Sequence, residues 1–584
     1  MLFVKNNTIC SRPYEGHALA ISDNTLPYHS FFKQWSTGFI LGLLLLFCFT
    51  YISSSTRFQK ALYDDNAREV PLVPYWIPGV FHAFALWDPA AFAFRLSKRY
   101  GSRKPLQVKA GWLRFFLLSE PEHVKALFRN SRHTTNTATV AFTLRNLVDL
   151  PDETVSLYLD DRSGAGLKPR KDSNVLPERR ITFLVSHNLH MFLSSCHLDG
   201  ISRRYSTMLH RQINDIDIQS EWVSLPNLFN FLQRTTLVSE IEALFGLKLL
   251  ELNPRFIDDL LIFTQHVPDF LRLRPWWLNP QAYRARRRLI QYVKQWHEYA
   301  RKHVDFADIL DEDPDWEPFW GSKLMRVRQQ YEHKTMAMNS DARACEDVGL
   351  IWASTTNVQN TVFWLFFEVL RDPDLQMRLM KEISECKTTN GEDDTTGFDM
   401  KKLTNQPLLQ STYAEVLRLY VAVAISRIAG YEDIKIDDYM IPQDSLIMTY
   451  SRAMALDTDA WIRAGRTLNK PLDEFDAERF LVDSGWTRPG LTPAVVIKDD
   501  GKRRFSTDGL LGLWVPYGGG DHMCPGRHLA KQQMLVTFAL LLSEFDIEIS
   551  ATKVEPDMRF APFGSLPPKN MTGFRIRRKQ QVAN

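Results

Sequence analysis

The chain has 584 residues, a formal net charge of +3 and 45% hydrophobic residues. Those values fit an ordinary folded protein of one large domain with additions, or of two to three average domains, and a charge so close to neutral leaves no electrostatic footprint for nucleic acid. Six cysteines, Cys10, Cys48, Cys196, Cys345, Cys386 and Cys524, lie scattered without C-x-x-C spacing, which argues against a disulfide framework and a structural zinc site.

Residues 1–34 form a tail of mixed polarity in which Asn6-Asn7-Thr8 is a glycosylation sequon. From Trp35 to Ile52 there is no charge, and Phe, Leu and Ile dominate; the length is near the minimum for a spanning helix. Residues 35–53 are expected to be a retained transmembrane anchor rather than a signal peptide, because a long tail precedes them and no clear small-residue cleavage site follows. Lys33 stands before this segment and Arg57, Lys60 and Arg68 after it. That bias puts the C-terminal side in the cytoplasm and the tail in the lumen. Residues 54–80 end in Pro71-Leu72-Val73-Pro74-Tyr75-Trp76-Ile77-Pro78-Gly79, a proline density that gives a stiff, extended hinge.

Residues 81–584 show no clean internal linker and are expected to form one domain, mainly α with small β-sheets. A hairpin is expected over 105–118, turning at Ala110-Gly111, and a short helix over 121–129. The polar stretch 151–180 reads as a long loop. Helical spacing marks 180–216, 227–247, 254–271, 280–304, 345–370, 374–386, 410–419 and 529–542. Short strands and loops fill much of 429–516. Between two of these helices Trp276 and Trp277 stand near Arg272, Arg274, Arg284, Arg286, Arg287 and Arg288, a mixture suited to a membrane interface.

The densest chemistry lies in Trp514-Val515-Pro516-Tyr517-Gly518-Gly519-Gly520-Asp521-His522-Met523-Cys524-Pro525-Gly526-Arg527. Three glycines can take backbone angles closed to other residues, which would let main-chain N–H groups turn toward a thiolate. The helix start just beyond is expected to lower the thiol pKa. One thiolate held facing one direction suits an axial ligand of haem iron. Upstream, Glu415 and Arg418 share one helical face among Ala414, Val416, Leu417 and Leu419. A buried pair of that kind needs a further partner, and Arg479, between Phe475 and Phe480, offers a planar fork for two acceptors.

Taken in order, Glu415-x-x-Arg418, Phe475-x-Ala477-x-Arg479-Phe480 and Tyr517-x-x-Gly520-x-His522-x-Cys524-x-Gly526 resemble the cytochrome P-450 superfamily, and the anchor and hinge resemble its membrane-bound microsomal members. The resemblance implies a haem-thiolate fold behind one N-terminal transmembrane helix. It makes Cys524 the axial ligand of haem b (iron protoporphyrin IX), with Gly520 and Gly526 in the ligand loop. His522 and Arg427 become partners of the haem propionates, and Glu415, Arg418 and Arg479 the structural cluster of the proximal face. The helix 345–370 would cross the oxygen site.

Several positions depart from the family pattern. Tyr517 replaces the usual Phe, His522 the usual Arg and Ala477 a common Pro. The usual Trp-x-x-x-Arg is not visible near 181–192, which leaves Arg180 or His187 as substitutes. In the oxygen-site helix, Ala353-Ser354-Thr355-Thr356-Asn357 stands where the family has Ala/Gly-Gly-x-Asp/Glu-Thr. Thr356 thus takes the place of the acid and Asn357 that of the alcohol, a pair with a general-acid task. Trp352-Ala353-Ser354, Asn357 and Phe363-Trp364 look like the branch holding cholesterol 7-alpha-hydroxylase and prostacyclin synthase, which includes many fungal biosynthetic enzymes.

The resemblance implies a single-pass endoplasmic reticulum monooxygenase with a cytoplasmic catalytic domain. It would insert one atom of O2 into a bulky apolar substrate: steroid-like, terpenoid or another secondary metabolite. No flavin-domain pattern is visible, so electrons are expected from a separate NADPH–cytochrome P-450 reductase, with cytochrome b5 as a further donor. One alternative is a haem-thiolate isomerase or dehydratase of a peroxide that needs no reductase. Another is a non-catalytic haem- or sterol-binding membrane protein.

Overall fold

The computed structural model describes residues 26–64, 69–86, 88–101, 103–194, 197–304, 309, 312–334, 338–388, 397–487 and 502–580. The sequon at Asn6, together with Cys10, Arg68 and Cys196, lies outside them. Helices dominate the described residues, and small sheets accompany them, as the patterning predicts.

The apolar N-terminal stretch lies in one helix, Leu26–Tyr63. Its Gly38–Tyr63 portion is long and apolar enough to cross a membrane, and Phe39, Leu45 and Phe49 stand exposed on it. The helix outlasts the apolar run because its last turns dock on the body. Phe58 is buried with Val73, Ala93 and Leu106, and Tyr51 stacks on Trp76 with ring centroids 4.2 Å apart. The proline-rich stretch is extended, and it is also fastened. The N–H of Val73 donates to Gln107 O at 2.9 Å, and that of Gln107 to Pro71 O at 2.8 Å. Proline lacks the N–H for a central strand but can sit beside one in this way.

The hairpin forms from Leu106–Ala110 and Leu113–Leu117, with Gly111 at φ +58 in the turn. It continues through Leu446–Tyr450 and Val421–Ile428 to Phe563–Ser565, making a five-stranded sheet. The short helix is Pro121–Arg129. The long helix over the core is Ser340–Leu370. It starts earlier than its apolar pattern because Asn339 caps it, accepting from the N–H of Ala342 at 2.9 Å.

Other stretches differ from the sequence expectation. Residues 180–216 divide into Ile181–Ser194 and His197–Asn214. Residues 254–271 divide into Phe256–Gln265 and Val267–Leu271, where Pro268 lacks the N–H to continue one helix. The stretch read as a loop over 151–180 contains a helix, Asp152–Asp160. Thr154, Val155 and Tyr158 form its buried stripe, and three residues in a polar segment are too few to raise a periodic signal. Tyr158 OH donates to Glu346 Oε1 at 2.7 Å.

The helix Lys323–Lys334 has no clear apolar period to announce it, because beside Leu324 and Met325 its buried face is polar: Lys323, Arg326, Arg328, Gln329 and Glu332. Arg328 is the centre of a buried network. Its Nη2 lies 2.9 Å from Glu332 Oε1 and 3.1 Å from Glu346 Oε2, and its Nε lies 2.7 Å from Asp347 Oδ1. His297 Nε2 meets Asp347 Oδ2 at 2.8 Å. Burial pushes the carboxyls of Glu332 and Glu346 up in pKa, against the pull of the Arg328 charge. Removing that one cation leaves three acids buried together. Arg328→Met is therefore expected to cost about 3–5 kcal/mol of stability, measurable as a lowered denaturation midpoint in urea.

Candidate active site

Cys524 sits where a glycine loop runs into the helix Arg527–Glu544. Gly518 and Gly520 have φ of +72 and +66, angles that favour glycine. Close approach adds a second reason. A Cβ on Gly519 would lie 2.3 Å from the ring of Phe128, and one on Gly520 would lie 1.9 Å from Ser131 Oγ. The loop can therefore lie flat against the helix Pro121–Arg129 and the turn after it. The N–H of Cys524 donates to Tyr517 O at 2.9 Å, which closes the loop behind the thiol.

Burial pushes the Cys524 thiol up in pKa. The N–H groups of Gly526 and Arg527 and the Arg527 charge pull it down, and burial prevails. The sequence expectation of a lowered pKa is corrected in this respect. The amide donors and helix start are there, but without a metal the desolvation of the thiolate outweighs them. Cys524 nonetheless has accessible surface, because it lines a cavity of about 520 Å³.

That cavity lies between the cysteine loop and the helix Ser340–Leu370, which contributes Ala353, Ser354 and Asn357. Arg427 is in its wall and is 5% exposed. Its Nη2 donates to Gly519 O at 2.9 Å and its Nη1 to Ser426 O at 2.8 Å. It has no carboxylate in ion-pair reach among the described residues, and burial lowers its pKa to about 10. A buried cation with only carbonyl partners is costly unless an anion joins it. His522 lines the same cavity. Burial and the Arg427 charge push its pKa down to about 4, against a hydrogen bond to the Thr134 backbone. It is therefore neutral near pH 7 and has one ring N–H to donate.

One thiol, one unpaired guanidinium and largely apolar walls fit a haem with its two carboxylates. Gly526 also lines the cavity, whereas Gly520 supports the loop from outside it. Asn357 is fixed at the opposite wall. Its Oδ1 accepts from the N–H of Ser565 at 2.9 Å, and a Cβ on Gly564 would come within 2.5 Å of that oxygen. Thr356 is buried and is not among the residues that line the cavity.

Neither proposed substitute for the missing Trp-x-x-x-Arg lines the cavity. Arg180 donates to Ser163 Oγ at 3.1 Å and Leu167 O at 3.0 Å, holding the loop before its helix. His187 is exposed and stacks on Phe183.

The acidic and basic residues at 415, 418 and 479 do meet. Arg418 Nε and Nη2 donate to Glu415 Oε2 and Oε1 at 2.6 and 2.8 Å. Arg479 Nε donates to Glu415 Oε1 at 2.9 Å, and all three side chains are fully inaccessible. The remaining N–H groups of Arg479 donate to the carbonyls of Lys470, Pro471 and Glu474. One irregular segment is thereby fastened to the helix Pro407–Tyr420.

The buried acid Glu240 and its partner Gln359 carry no sequence motif, and sequence reasoning missed them. Glu240 and Glu242 inside the mostly apolar stretch 237–247 were the available signal.

Comparison with known proteins agrees with this geometry. A family model described as Cytochrome P450 matches residues 199–574. Cytochrome P450 monooxygenase efuG of Hormonema carpetanum is 31% identical over 562 residues, covering 94% of this chain and 97% of the relative. Cytochrome P450 monooxygenase fsoE of Humicola fuscoatra is 33% identical over 561 residues, covering 91% of each. Cholesterol 7-alpha-monooxygenase of Cricetulus griseus is 26% identical over 330 residues, 54% of this chain and 58% of that protein. With a cysteine loop, a buried cation and a cavity arranged around one thiol, the chain belongs to the cytochrome P-450 family and is a monooxygenase of that family.

Proposed function

We propose that this enzyme is held in the endoplasmic reticulum membrane by its N-terminal helix, with the catalytic domain cytoplasmic. It inserts one atom of O2 into a bulky apolar substrate: steroid-like, terpenoid or another secondary metabolite. The second oxygen atom leaves as water. Two electrons come from NADPH through a separate reductase, with cytochrome b5 as a further donor. With the tail lumenal, Asn6 is the acceptor for a glycan.

The observation that carries this reading is the cavity shared by the Cys524 thiol and the unpaired Arg427. Haem b would be held by the Cys524 thiolate, and Arg427 and neutral His522 would donate to its propionates. When bound, it supplies the redox centre at which O2 is activated. The glycines let the loop come close, and the N–H groups of Gly526 and Arg527 stabilise the thiolate. The Glu415 cluster keeps the proximal face rigid.

On the other side of the cavity, Asn357 has its Oδ1 committed to the strand Phe563–Ser565, which leaves Nδ2 to hold a polar atom above the thiol. Thr356 supports that turn from the buried side. Apolar walls and the relative named for cholesterol favour a sterol-sized, water-poor substrate. Trp276, Trp277 and Leu278 are each more than half exposed, so an apolar substrate can arrive from lipid.

The absence of an acid at Thr356 and Asn357 gives the second reading its support: rearrangement of a peroxide, which needs no reductase. NADPH-dependent oxygen consumption with added reductase separates the two.

The carbon monoxide difference spectrum of reduced, membrane-expressed protein is expected to show the strongly red-shifted Soret band of thiolate ligation. Cys524→Ser is expected to lack it. Folded, haem-loaded wild type without that band would overturn the assignment. Asn357→Ala is expected to lower product formed per NADPH by about tenfold. Unchanged turnover and coupling would remove Asn357 from oxygen activation.

A further inference from the structure

Resting on the monooxygenase reading, the balance is RH + O2 + NADPH + H⁺ giving ROH + H2O + NADP⁺. Protons must reach the cavity, and Asn357 and Thr356 do not ionise near neutral pH. A buried acid lies behind the same helix. Glu240, on Leu228–Phe245, is fully buried. Gln359 Nε2 donates to its Oε2 at 3.2 Å, and Gln233 Nε2 donates to Gln359 Oε1 at 3.3 Å. Its Oε1 has no partner among the described residues. Burial pushes its pKa up to about 8, against the pull of Gln359 and Thr236. At neutral pH it is a carboxylic acid with a proton to give.

Other polar atoms share its lack of partners among the described residues: on its own helix, on His197–Asn214 packed against it, and on Arg527–Glu544 beyond that helix. They are Ser202 Oγ and Ser206 Oγ, one turn apart on His197–Asn214, Ser239 Oγ beside Glu240, and Gln533 Nε2 on Arg527–Glu544. Ordered water commonly satisfies such groups, about three per molecule. Tyr205 links the two sides. Its OH meets Thr537 Oγ1 at 2.6 Å, and Thr537 Oγ1 donates to Gln533 O at 2.7 Å. Burial and then the charge of Glu240 push the Tyr205 phenol up in pKa.

Tyr205 is the titratable group facing Glu240. Ser340–Leu370 presents Gln359, the acid's own helix presents Thr236, and Arg527–Glu544 brings Gln533 and Thr537; none of these ionises. The seam borders the active site: Gln533 lines the cavity and so does Leu244, one turn beyond Glu240 on the same helical face.

We propose that Glu240 is the internal acid of this enzyme, a positioning residue that feeds protons through a water-bridged seam past Gln533 into the cavity before Cys524. In each transfer Glu240 loses its carboxyl proton to the first bridging water, and the last water passes one to the cavity. The carboxylate is then reprotonated from solvent by way of Ser206 and Ser202, whose neighbour Arg203 is exposed.

Glu240→Gln keeps an acceptor for Gln359 and removes the transferable proton. In haem-loaded protein at rest, the infrared difference between wild type and this variant is expected to show a protonated-carboxyl C=O band that fades with a midpoint near pH 8. In turnover with reductase, product formed per NADPH is expected to fall at least about tenfold, with hydrogen peroxide rising to match. The carbon monoxide band and the substrate-binding spectral shift stay at wild-type values. Wild-type coupling declines as pH rises through that midpoint, and the variant's profile is flat. Gln533→Leu is expected to lower coupling while keeping the infrared band.

A carboxylate already ionised at pH 7, or a Glu240→Gln enzyme with wild-type coupling and pH profile, would overturn the proposal. Wild type without any NADPH-dependent turnover would sink the function reading and proton delivery with it. The infrared band distinguishes that failure from a wrong protonation state.

Discussion

Glu415 shares one carboxylate between two guanidiniums in a place fully closed to solvent. Desolvating three charges is expensive, and only complete hydrogen bonding makes it tolerable. Here that requirement fixes geometry. Arg479 spends its remaining donors on the carbonyls of residues 470, 471 and 474, and the N–H of Asp476 donates to Glu415 Oε1 at 3.0 Å. The same helix, Pro407–Tyr420, also positions the cysteine loop. Trp514 Nε1 donates to Ala414 O at 3.1 Å, and the Tyr413 and Tyr517 hydroxyls bond to each other. It then runs directly into the strand that bears Arg427. Thiol and cation are thus placed by one rigid element.

Two opposed effects meet at Cys524. Burial favours the neutral thiol, while two amide N–H groups and Arg527 favour the thiolate. A metal cation would add the missing attraction and decide that contest. Arg427 has the complementary imbalance: a buried charge with carbonyl partners alone. Both are costs in the isolated chain, and both become favourable when an iron porphyrin carrying two carboxylates is present.

The helix Ser340–Leu370 has two working faces. Ala353, Ser354 and Asn357 face the cavity, and Gln359 turns to Glu240. Two residues along a helix rotate the side chain by about 200°, so one element serves the cavity before Cys524 on one side and a polar seam on the other. The loss of an acid at Thr356 and the presence of one at Glu240 are then two aspects of one arrangement.

Much of this was legible in the residues. The charge-free run from Trp35 to Ile52, the i,i+3 pair Glu415 and Arg418, and the glycines before Cys524 are local patterns. They work through helical period, turn geometry and main-chain freedom, so their order along the chain carries their meaning. Helix existence followed from apolar spacing for most long helices, but Lys323–Lys334 with its largely polar buried face, Asp152–Asp160 with its three-residue stripe, and Pro89–Tyr100 and Thr137–Val148 were not announced by it. What the tertiary structure alone decided is which distant polar groups meet. Arg479 reaches Glu415 across 64 positions, Gln359 reaches Glu240 across 119, and Ser565 reaches Asn357 across 208. A polar side chain looks the same in sequence whether it is solvated or buried. Only the packing around it removes water and sets whether it becomes a fastening, an acid or an unpaired cation.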